Sequence, residues 1–487
     1  MALKKLHAEK NVTEQFKPFA EKMKLAGLSS TIIDTFKYYY SLLLKGETGL
    51  LTKNDIDPVK PGEIPDLERM DNLFDVGRSV LHKVALIKLN GGLGTSMGLE
   101  RAKALLKVRE SMSFLDITVK QVLGYREKYG NKMPLILMNS FRTEEDTKIE
   151  LAKYAGLATD IPLTFLQHKV PKILQDSLTP SEWPQDPALE WNPPGHGEIY
   201  TALVTSGMLK KLIDAGIIYA FISNSDNLGA VMDARILGYF AKSNLPFLME
   251  VADRREIDKK GGHIARLKEN GRLVLRESAQ CPEDEKKQFQ DIHIYRYFNT
   301  NSIWINLLAL QDHLDKNNNM ILLPMIRNPK TVDPRDGSSP PVFQVETAMG
   351  AAISIFDKAD AIRVPRTRFR PVKQCNDLLA LWSDCYLRTD DYRVIQNPKR
   401  TLRTLVIKLD NKYYKMVDQL TKRFPEGVPS LIDCEALEIE GDVRFEGNVV
   451  IKGKVKIVNR TDRQHTIPKG TIIDGSRLDN GVMELRD

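Results

Sequence analysis

The sequence predicts an α/β protein with a largely parallel central sheet, preceded by a helical segment and followed by a small all-β unit. Three observations carry that expectation. Short apolar runs alternate with stretches of helical periodicity from about residue 83 to residue 250. Aromatic and aliphatic residues recur at helical spacing before residue 50, and a six-residue repeat occupies residues 437–460.

At the amino terminus, FKPFAEKMKLAG reads as a helix stopped at Gly27, and TIIDTFKYYYSLLLKG places Ile33, Phe36, Tyr40, Leu43 and Leu44 along one helical face. The proline-bearing stretch DIDPVKPGEIPDL then links this unit, residues 1–80, to the central one. Support or an oligomer contact is its expected role.

The central unit, residues 81–400, opens with apolar KVALIKL, followed by helical FLDITVKQVLGYREKYG, apolar PLILMN, helical TEEDTKIELAKYAG and LTFLQ. A second round reads EIYTALVTSGMLKKLIDAG as a helix, YAFISN as a buried strand, VMDARILGYFAKSN as a helix and PFLMEV as a strand. Continuous apolar strands separated by helices imply a parallel sheet covered on both faces, with ligands at the carboxyl ends of its strands.

Residues 401–487 change character. Written in sixes, LEIEGD, VRFEGN, VVIKGK and VKIVNR align Leu437, Val443, Val449 and Val455 in one column and Ile439, Phe445, Ile451 and Ile457 in another. Gly441, Gly447, Gly453 and Asn459 form a third column, suited to corners that need positive φ. This is the pattern of short parallel β-helix coils, with a plain antiparallel meander as the alternative.

Composition narrows the function. The 487 residues carry a formal charge of +7 from 71 basic and 64 acidic side chains, which suits anionic small substrates and requires no nucleic acid. No basic block interleaved with aromatics is present, so no nucleic-acid groove is expected. Cys281, Cys375, Cys385 and Cys434 are far apart and form no C-x-x-C pair, which argues against a zinc site or disulfide framework and for a reducing compartment. There is no apolar signal core in MALKKLHAEKNVTEQF, no apolar run of membrane-spanning length, and no peroxisomal address in the terminal LRD. A cytoplasmic enzyme or binding protein is expected.

The stretch richest in chemistry is NGGLGTSMG, residues 90–98, directly after an apolar strand. Glycines let backbone amides approach an anion, although a tight turn would use them equally well. The stretch does not fit G-x-x-x-x-G-K-[ST]; G-x-G-x-x-G fails too, because Met97 stands where the third glycine belongs. What remains is a strand, G-G-x-G-T, and Lys103 a few residues on, able to offer amides and one ammonium to a triphosphate.

The run KLNGGLGTSMG followed by AKALL resembles the signature of the UDP-glucose pyrophosphorylases, or UTP:glucose-1-phosphate uridylyltransferases. LMNSFRTEEDT, VPKILQDSL, WNPPGHGEIYTAL, SNSDNLGA, FLMEVADR, ESAQCP, FNTNSIWI, VETAMGAAI and FRPVKQCNDLL look like further family segments in the expected order, so the resemblance spans most of the chain. It implies a Rossmann-like nucleotidyltransferase core followed by a carboxyl-terminal left-handed parallel β-helix. UTP and glucose 1-phosphate are the implied partners, with Mg2+ as cofactor. Family members include monomers and homo-oligomers joined through the carboxyl-terminal domain, and both remain open here.

Carried onto this sequence, the resemblance implies that Leu89, Asn90, Gly91 and Gly92 lay their backbone against the nucleotide. Lys103 and Lys373 are implied as catalytic, phosphate-binding lysines, although a lone lysine is ordinarily a solvated surface residue. Asp226, in SNSDNLG, is implied as a nucleotide-side residue and Mg2+ ligand, with a helix cap or Asx-turn as its structural alternative. Gln167 resembles the uracil-reading glutamine, with neighbouring His168 leaving the register open by one. Gly195 is implied on the uridine side, and His196 and Asn224 against the sugar phosphate. His196 is not assigned as a base, because a phosphate nucleophile needs no deprotonation beyond its second ionisation near about 6. Asn299, Asn301 and Glu346 are candidates for glucose hydroxyls, with strand capping as the alternative.

Two departures mark the branch. Many sugar nucleotidyltransferases have arginine after G-x-G-T and proline before the lysine, where this sequence has Ser96 and Ala102. The expected reaction is in-line attack of glucose 1-phosphate on the α-phosphorus of UTP. The rivals are a broader UDP-sugar pyrophosphorylase and a non-catalytic β-helix scaffold.

Overall fold

The computed structural model describes residues 2–485 apart from residue 404, with side chains from residue 12 onward; the last two residues of the LRD terminus lie outside that range. The amino-terminal helices α1 (Ala2–Leu25) and α2 (Ser30–Leu44) form a hairpin around Gly27, whose φ of 75° ends the first helix in the left-handed region. Phe16, Phe19, Phe36 and Tyr40 interlock at ring-centroid distances of 4.9–6.1 Å, and this cluster packs on Val170, Ile173, Met325 and Val345. Each such buried aromatic contributes roughly 1.5–3 kcal/mol, which anchors the hairpin to the central unit.

That unit is built on a ten-stranded sheet. Its main strands are β1 (Val84–Asn90), β2 (Leu135–Asn139), β3 (Thr164–Leu166), β4 (Tyr219–Asn224), β5 (Phe247–Asp253), β6 (Tyr297–Asn306) and β7 (Asp360–Arg363). They lie side by side in the order β3-β2-β1-β4-β6-β5-β7. All pairings are parallel except those of β6, which runs antiparallel to both β4 and β5. The chain leaves β1 toward β2 and β3, then returns to place β4 on the other side of β1. The gap above β1 and β4 is therefore the topological switch point, where ligands of such sheets bind.

Alternating residues of the strands feed two apolar layers. Val84, Leu86, Leu135, Leu137 and Phe221 face one side, where α3 (Phe114–Tyr129) packs; Ala85, Ile87, Ile136, Met138, Ala220 and Ile222 face the other. The second layer is closed by α4 (Ile199–Thr205) and α5 (Met208–Asp214), while α6 (Ala234–Lys242) joins the first. Burial on both faces is why these strands read as continuous apolar runs.

The architecture differs from the sequence expectation in three places. EIYTALVTSGMLKKLIDAG is two helices, because Gly207 sits at φ 73° between them. Ile56–Pro58, inside the stretch expected to be only a connector, is a strand paired with His263–Leu267 at the sheet's edge. The antiparallel direction of β6 has no local signature, since an apolar run reads alike in either direction.

After α7 (Cys375–Trp382), the carboxyl-terminal repeats stack in parallel. Leu437 pairs with Val455 and Ile439 with Ile457, so a hexad stacks on the third hexad after it, and the other pairings of Val443–Phe445 and Val450–Asn459 are parallel too. Parallel pairing excludes the antiparallel meander. At the corners, Gly441 and Gly453 take φ of 84° and 69° as expected, whereas Asn448 (φ 61°) takes the turn in place of Gly447. Asn459 serves differently: its Nδ2 donates to the carbonyls of Asp442 and Arg463 at 2.7 and 2.8 Å. One apolar cluster runs from Leu67 through α7 to Ile473, so the coil shares a core with the sheet layer it abuts. Among the described residues, no helix is long and apolar enough to cross a membrane.

Candidate active site

The carboxyl ends of β1 and β2 are tied together first. The buried Asn90 side chain donates to Asn139 Oδ1 at 2.7 Å and Thr147 Oγ1 at 2.9 Å, which directs it into the protein and leaves the backbone of the following glycines facing outward. Ser140 Oγ donates to the Gly91 carbonyl at 2.9 Å, and the Lys103 N–H donates to the Gly92 carbonyl at 3.0 Å. These bonds consume carbonyls on the loop. Among the described residues, no protein group accepts the N–H of Gly91, Gly92 or Leu93. Donor-rich backbone of this kind is an anion cradle. Gly94 and Gly98 hold the turn open at φ 70° and 75°, a conformation costly for residues with a Cβ.

Gln167 lies over Gly91: a Cβ added to that glycine would come within 2.9 Å of both terminal atoms of the Gln167 amide. Its N–H donates to the Asn139 carbonyl at 2.8 Å, which carries the chain from β3 to the loop. His168 turns away to bond the Glu198 carboxyl through Nδ1, with Thr205 Oγ1 at 3.2 Å from Nε2. Gln167 therefore stands beside the glycine loop, whereas His168 is held in a pair with Glu198. Burial raises the Glu198 carboxyl above its usual range despite that histidine.

Across the switch point, Lys103 Nζ donates to Asp226 Oδ2 at 2.7 Å, and both side chains are mostly buried. Asp226 does not cap backbone; Asn227 takes that role, its Oδ1 accepting from the N–H of Gly229 at 3.1 Å and of Arg370 at 2.8 Å. Asp226 Oδ1 is buried without a partner. A buried carboxylate oxygen left unsatisfied is costly, and this one is the atom of the site that could take a cation. Asn224 and Leu89 border this pair through backbone, with the Ser225 N–H donating to the Leu89 carbonyl at 3.1 Å and the Asn227 N–H to the Asn224 carbonyl at 3.3 Å.

The same loop positions Lys373. The Val372 N–H donates to the Asp226 carbonyl at 3.3 Å, and Asp377 Oδ2 accepts from the N–H groups of Lys373 and Gln374, opening α7. The Lys373 side chain is exposed, and among the described residues its ammonium forms no ion pair. Glu277 and Asp377 both feel its charge. The structure thus brings Lys103, Asp226 and the backbone of Lys373 into one connected unit.

Gly195 and His196 form another edge. Gly195 stands at φ 83° and ψ 175°, packed so closely on the end of the strand Pro341–Thr347 that a Cβ would lie 2.4 Å from the Thr347 carbonyl oxygen. His196 Nδ1 accepts from the Met349 N–H at 2.9 Å, which places the neutral ring's proton on Nε2, free to donate. Burial pushes His196 down to about 4, so the imidazole is neutral at neutral pH.

Asn299 and Asn301 pair directly, Nδ2 to Oδ1 at 2.8 Å, across a bulge in β6 where Asn301 takes φ 54°. Glu346 is not part of that pair; it is raised by burial, bonded to Asn328, and abuts Gly195. Sequence reasoning missed Glu277. Its carboxyl is raised by burial, touches Asn299, and would lie 2.5 Å from a Cβ at Gly262. The only local signal was its place at the head of ESAQCP, one of the segments that resemble the family.

Lys88 was likewise unassigned. Burial, with Arg368 nearby, pushes its ammonium down to about 7 against the pull of Glu250 and Asp226. Arg368 is held by Glu250 through two bonds of 2.7 Å, and Trp304 Nε1 adds a third to the same carboxylate at 2.9 Å.

Residues 33–452 match the sequence profile of the family described as UTP--glucose-1-phosphate uridylyltransferase. The UTP--glucose-1-phosphate uridylyltransferase of Solanum tuberosum is 38% identical over 409 residues, covering 84% of this chain and 83% of that protein. Among solved structures, a UDP-glucose phosphorylase from Trypanosoma brucei superposes with a TM-score of 0.86 at 43% identity, over 97% of this chain and 100% of that one. A variant of the UDP-glucose pyrophosphorylase from Leishmania major in complex with UDP-glucose gives 0.88 at 42%, over 97% and 99%. An unsatisfied glycine loop at the switch point, a lysine–aspartate pair facing it and a match along most of the chain converge: the protein belongs to the UTP--glucose-1-phosphate uridylyltransferase family.

Proposed function

We propose that this chain joins UTP and glucose 1-phosphate to give UDP-glucose and pyrophosphate. The phosphate of the sugar attacks the α-phosphorus of UTP in line, and pyrophosphate leaves. The observation that carries this reading is the Lys103–Asp226 pair set opposite the open amides of Gly91 and Gly92, with the Gln167 amide beside the same glycine. In this reading Gln167 pairs with the uracil edge, the glycine backbone lies along the nucleotide, and Lys103 offsets charge on its phosphates. Lys373, exposed at the mouth of α7, reaches the phosphates from the other wall. His196 donates through Nε2 to the sugar phosphate beside Asn224. Asn299, Asn301 and Glu346 receive the glucose hydroxyls, with Glu277 beside Asn299. Holding two anions in attack geometry supplies on the order of 7–11 kcal/mol of the barrier reduction.

Among the described residues, no group of three or more His, Cys, Asp or Glu gathers as a metal site. Mg2+ would be held by Asp226 together with substrate phosphates, which matches the unsatisfied Oδ1. When bound, it would offset the charge that accumulates on the phosphates. The division at residues 80 and 400, the left-handed sense of the carboxyl-terminal coil, assembly through that coil, and a cytoplasmic setting belong to the same proposal.

The test is pyrophosphate release coupled to UDP-glucose formation, with and without Mg2+ and with galactose 1-phosphate and N-acetylglucosamine 1-phosphate in parallel. Glucose 1-phosphate should be preferred and chelation should stop turnover. Comparable rates on all three sugars would replace this reading with a broader UDP-sugar pyrophosphorylase.

A further inference from the structure

Lys88 sits in β1 two residues before Asn90, on the face that Val84 and Leu86 present to the apolar layer. Alternation assigns that position to an apolar residue, yet it holds a lysine that is only 3% exposed. Its Nζ donates to Ser223 Oγ at 2.7 Å and to the Ala230 carbonyl at 2.9 Å, and stands 5.9 Å from the centre of the Phe221 ring. The charged groups around it are Arg368, Glu250 and Asp226. Glu250 is engaged by Arg368 and Trp304, and Asp226 by Lys103, so the ammonium bonds only neutral acceptors.

Those two acceptors have a particular relation. Ser223 lies beside Lys88 in the parallel pairing of β1 and β4 and precedes Asn224. Ala230 lies beyond Asp226 in the loop that joins β4 to α6. The near end of that loop is already held by the Ser225 N–H on the Leu89 carbonyl at 3.1 Å. One buried side chain therefore joins the strand that launches the glycine loop, the strand that launches the Asp226 loop, and that loop itself beyond Asp226.

We propose that Lys88 is a positioning residue for uridylyl transfer: a buried tie that sets the spacing between the glycine loop and the Asp226–Lys103 pair. This rests on reading that pair as the phosphate end of the site. An ammonium suits the role because three donors on one nitrogen can hold two acceptors from different segments at once. Burying it opposes stability, so its removal separates positioning from packing.

The experiment compares K88M, which keeps length and apolar volume but removes the donors, with S223A, which removes one acceptor and keeps the lysine. Steady-state rates with UTP and glucose 1-phosphate are read alongside thermal midpoints. K88M should lose roughly tenfold or more in kcat, with smaller changes in either KM and a midpoint equal to or above that of the wild type. S223A should lose roughly threefold or more at an unchanged midpoint. A folded K88M with wild-type kcat overturns the proposal, as does a rate loss that disappears once the assay is cooled below the variant's own transition. Should K88M not fold, S223A decides alone, and wild-type kcat in it overturns the proposal. An inactive wild-type enzyme in this assay would instead count against the reading of the site itself.

Discussion

Gly195→Ala tests the sugar side of the site most sharply, because two independent features oppose a methyl group there. The backbone lies at φ 83° and ψ 175°, a region open essentially to glycine alone, and forcing another residue into it costs about 1–3 kcal/mol. The new Cβ would also stand 2.4 Å from the Thr347 carbonyl oxygen and 2.8 Å from its nitrogen, both backbone atoms. Thr347 has little room to retreat, since its N–H donates to the Pro194 carbonyl at 2.9 Å and Met349 is bonded to His196. Restoring ordinary contact therefore shifts His196 relative to the strand by about 1 Å, a misplacement that costs roughly a hundredfold in rate. Initial rates of pyrophosphate release at saturating UTP and varied glucose 1-phosphate, with a melting curve, measure both effects. The expected variant is folded, melts a few degrees lower, and is slower by about two orders of magnitude. Wild-type rate in G195A would refute the placement of His196 at the sugar phosphate.

Gly92→Ala makes a useful contrast: a Cβ there meets no protein atom within 4 Å, so the melting curve should not change, while KM for UTP rises if the backbone approaches the nucleotide. Unchanged kinetics would remove Gly92 from the nucleotide contact. Lys103→Met should lower kcat/KM by roughly a hundredfold or more through loss of phosphate charge compensation, and a variant as active as the wild type in the coupled assay would sink its catalytic role. For His196, the folded protein holds the ring neutral down to about 4, whereas the unfolded chain protonates near its ordinary value of about 6.5. Between those values the unfolded state binds more protons, so this residue makes stability fall as pH falls from about 6.5 to 4. Thermal melts across that window should show a shallower decline in His196→Gln, and identical slopes would contradict the buried neutral ring.

Several parts of the site were legible because their signals are local. NGGLGTSMG after an apolar strand announces an amide-rich loop, and the φ values of Gly94 and Gly98 are the conformations that such residues admit. The hexads predicted stacked parallel coils, since apolar columns at that period have to face a common interior. Other features had no local signature. A buried lysine in VALIKL looks like an interruption of a strand until Ser223 and Ala230 are brought to it. Gln167 and His168 are adjacent amide and imidazole, and only the position of Glu198 draws the second away from the loop. Glu277 reads as a surface carboxylate until the sheet folds Gly262 and Asn299 against it.

The sequence by itself determined that apolar strands alternate with helices around a sheet covered on both faces, where the glycine loop falls, that a six-residue repeat follows the central unit, and which family the protein resembles. Periodicity, turn chemistry and motif spacing are properties of neighbouring residues, so they survive without knowledge of the fold. Tertiary structure alone decided that β6 runs against its neighbours, that Lys103 meets Asp226, and that Lys88 spans two strands and a loop. Those outcomes depend on strand order around the switch point. Strand order is set by the burial of both apolar layers at once, a sum over the whole chain that no local stretch contains.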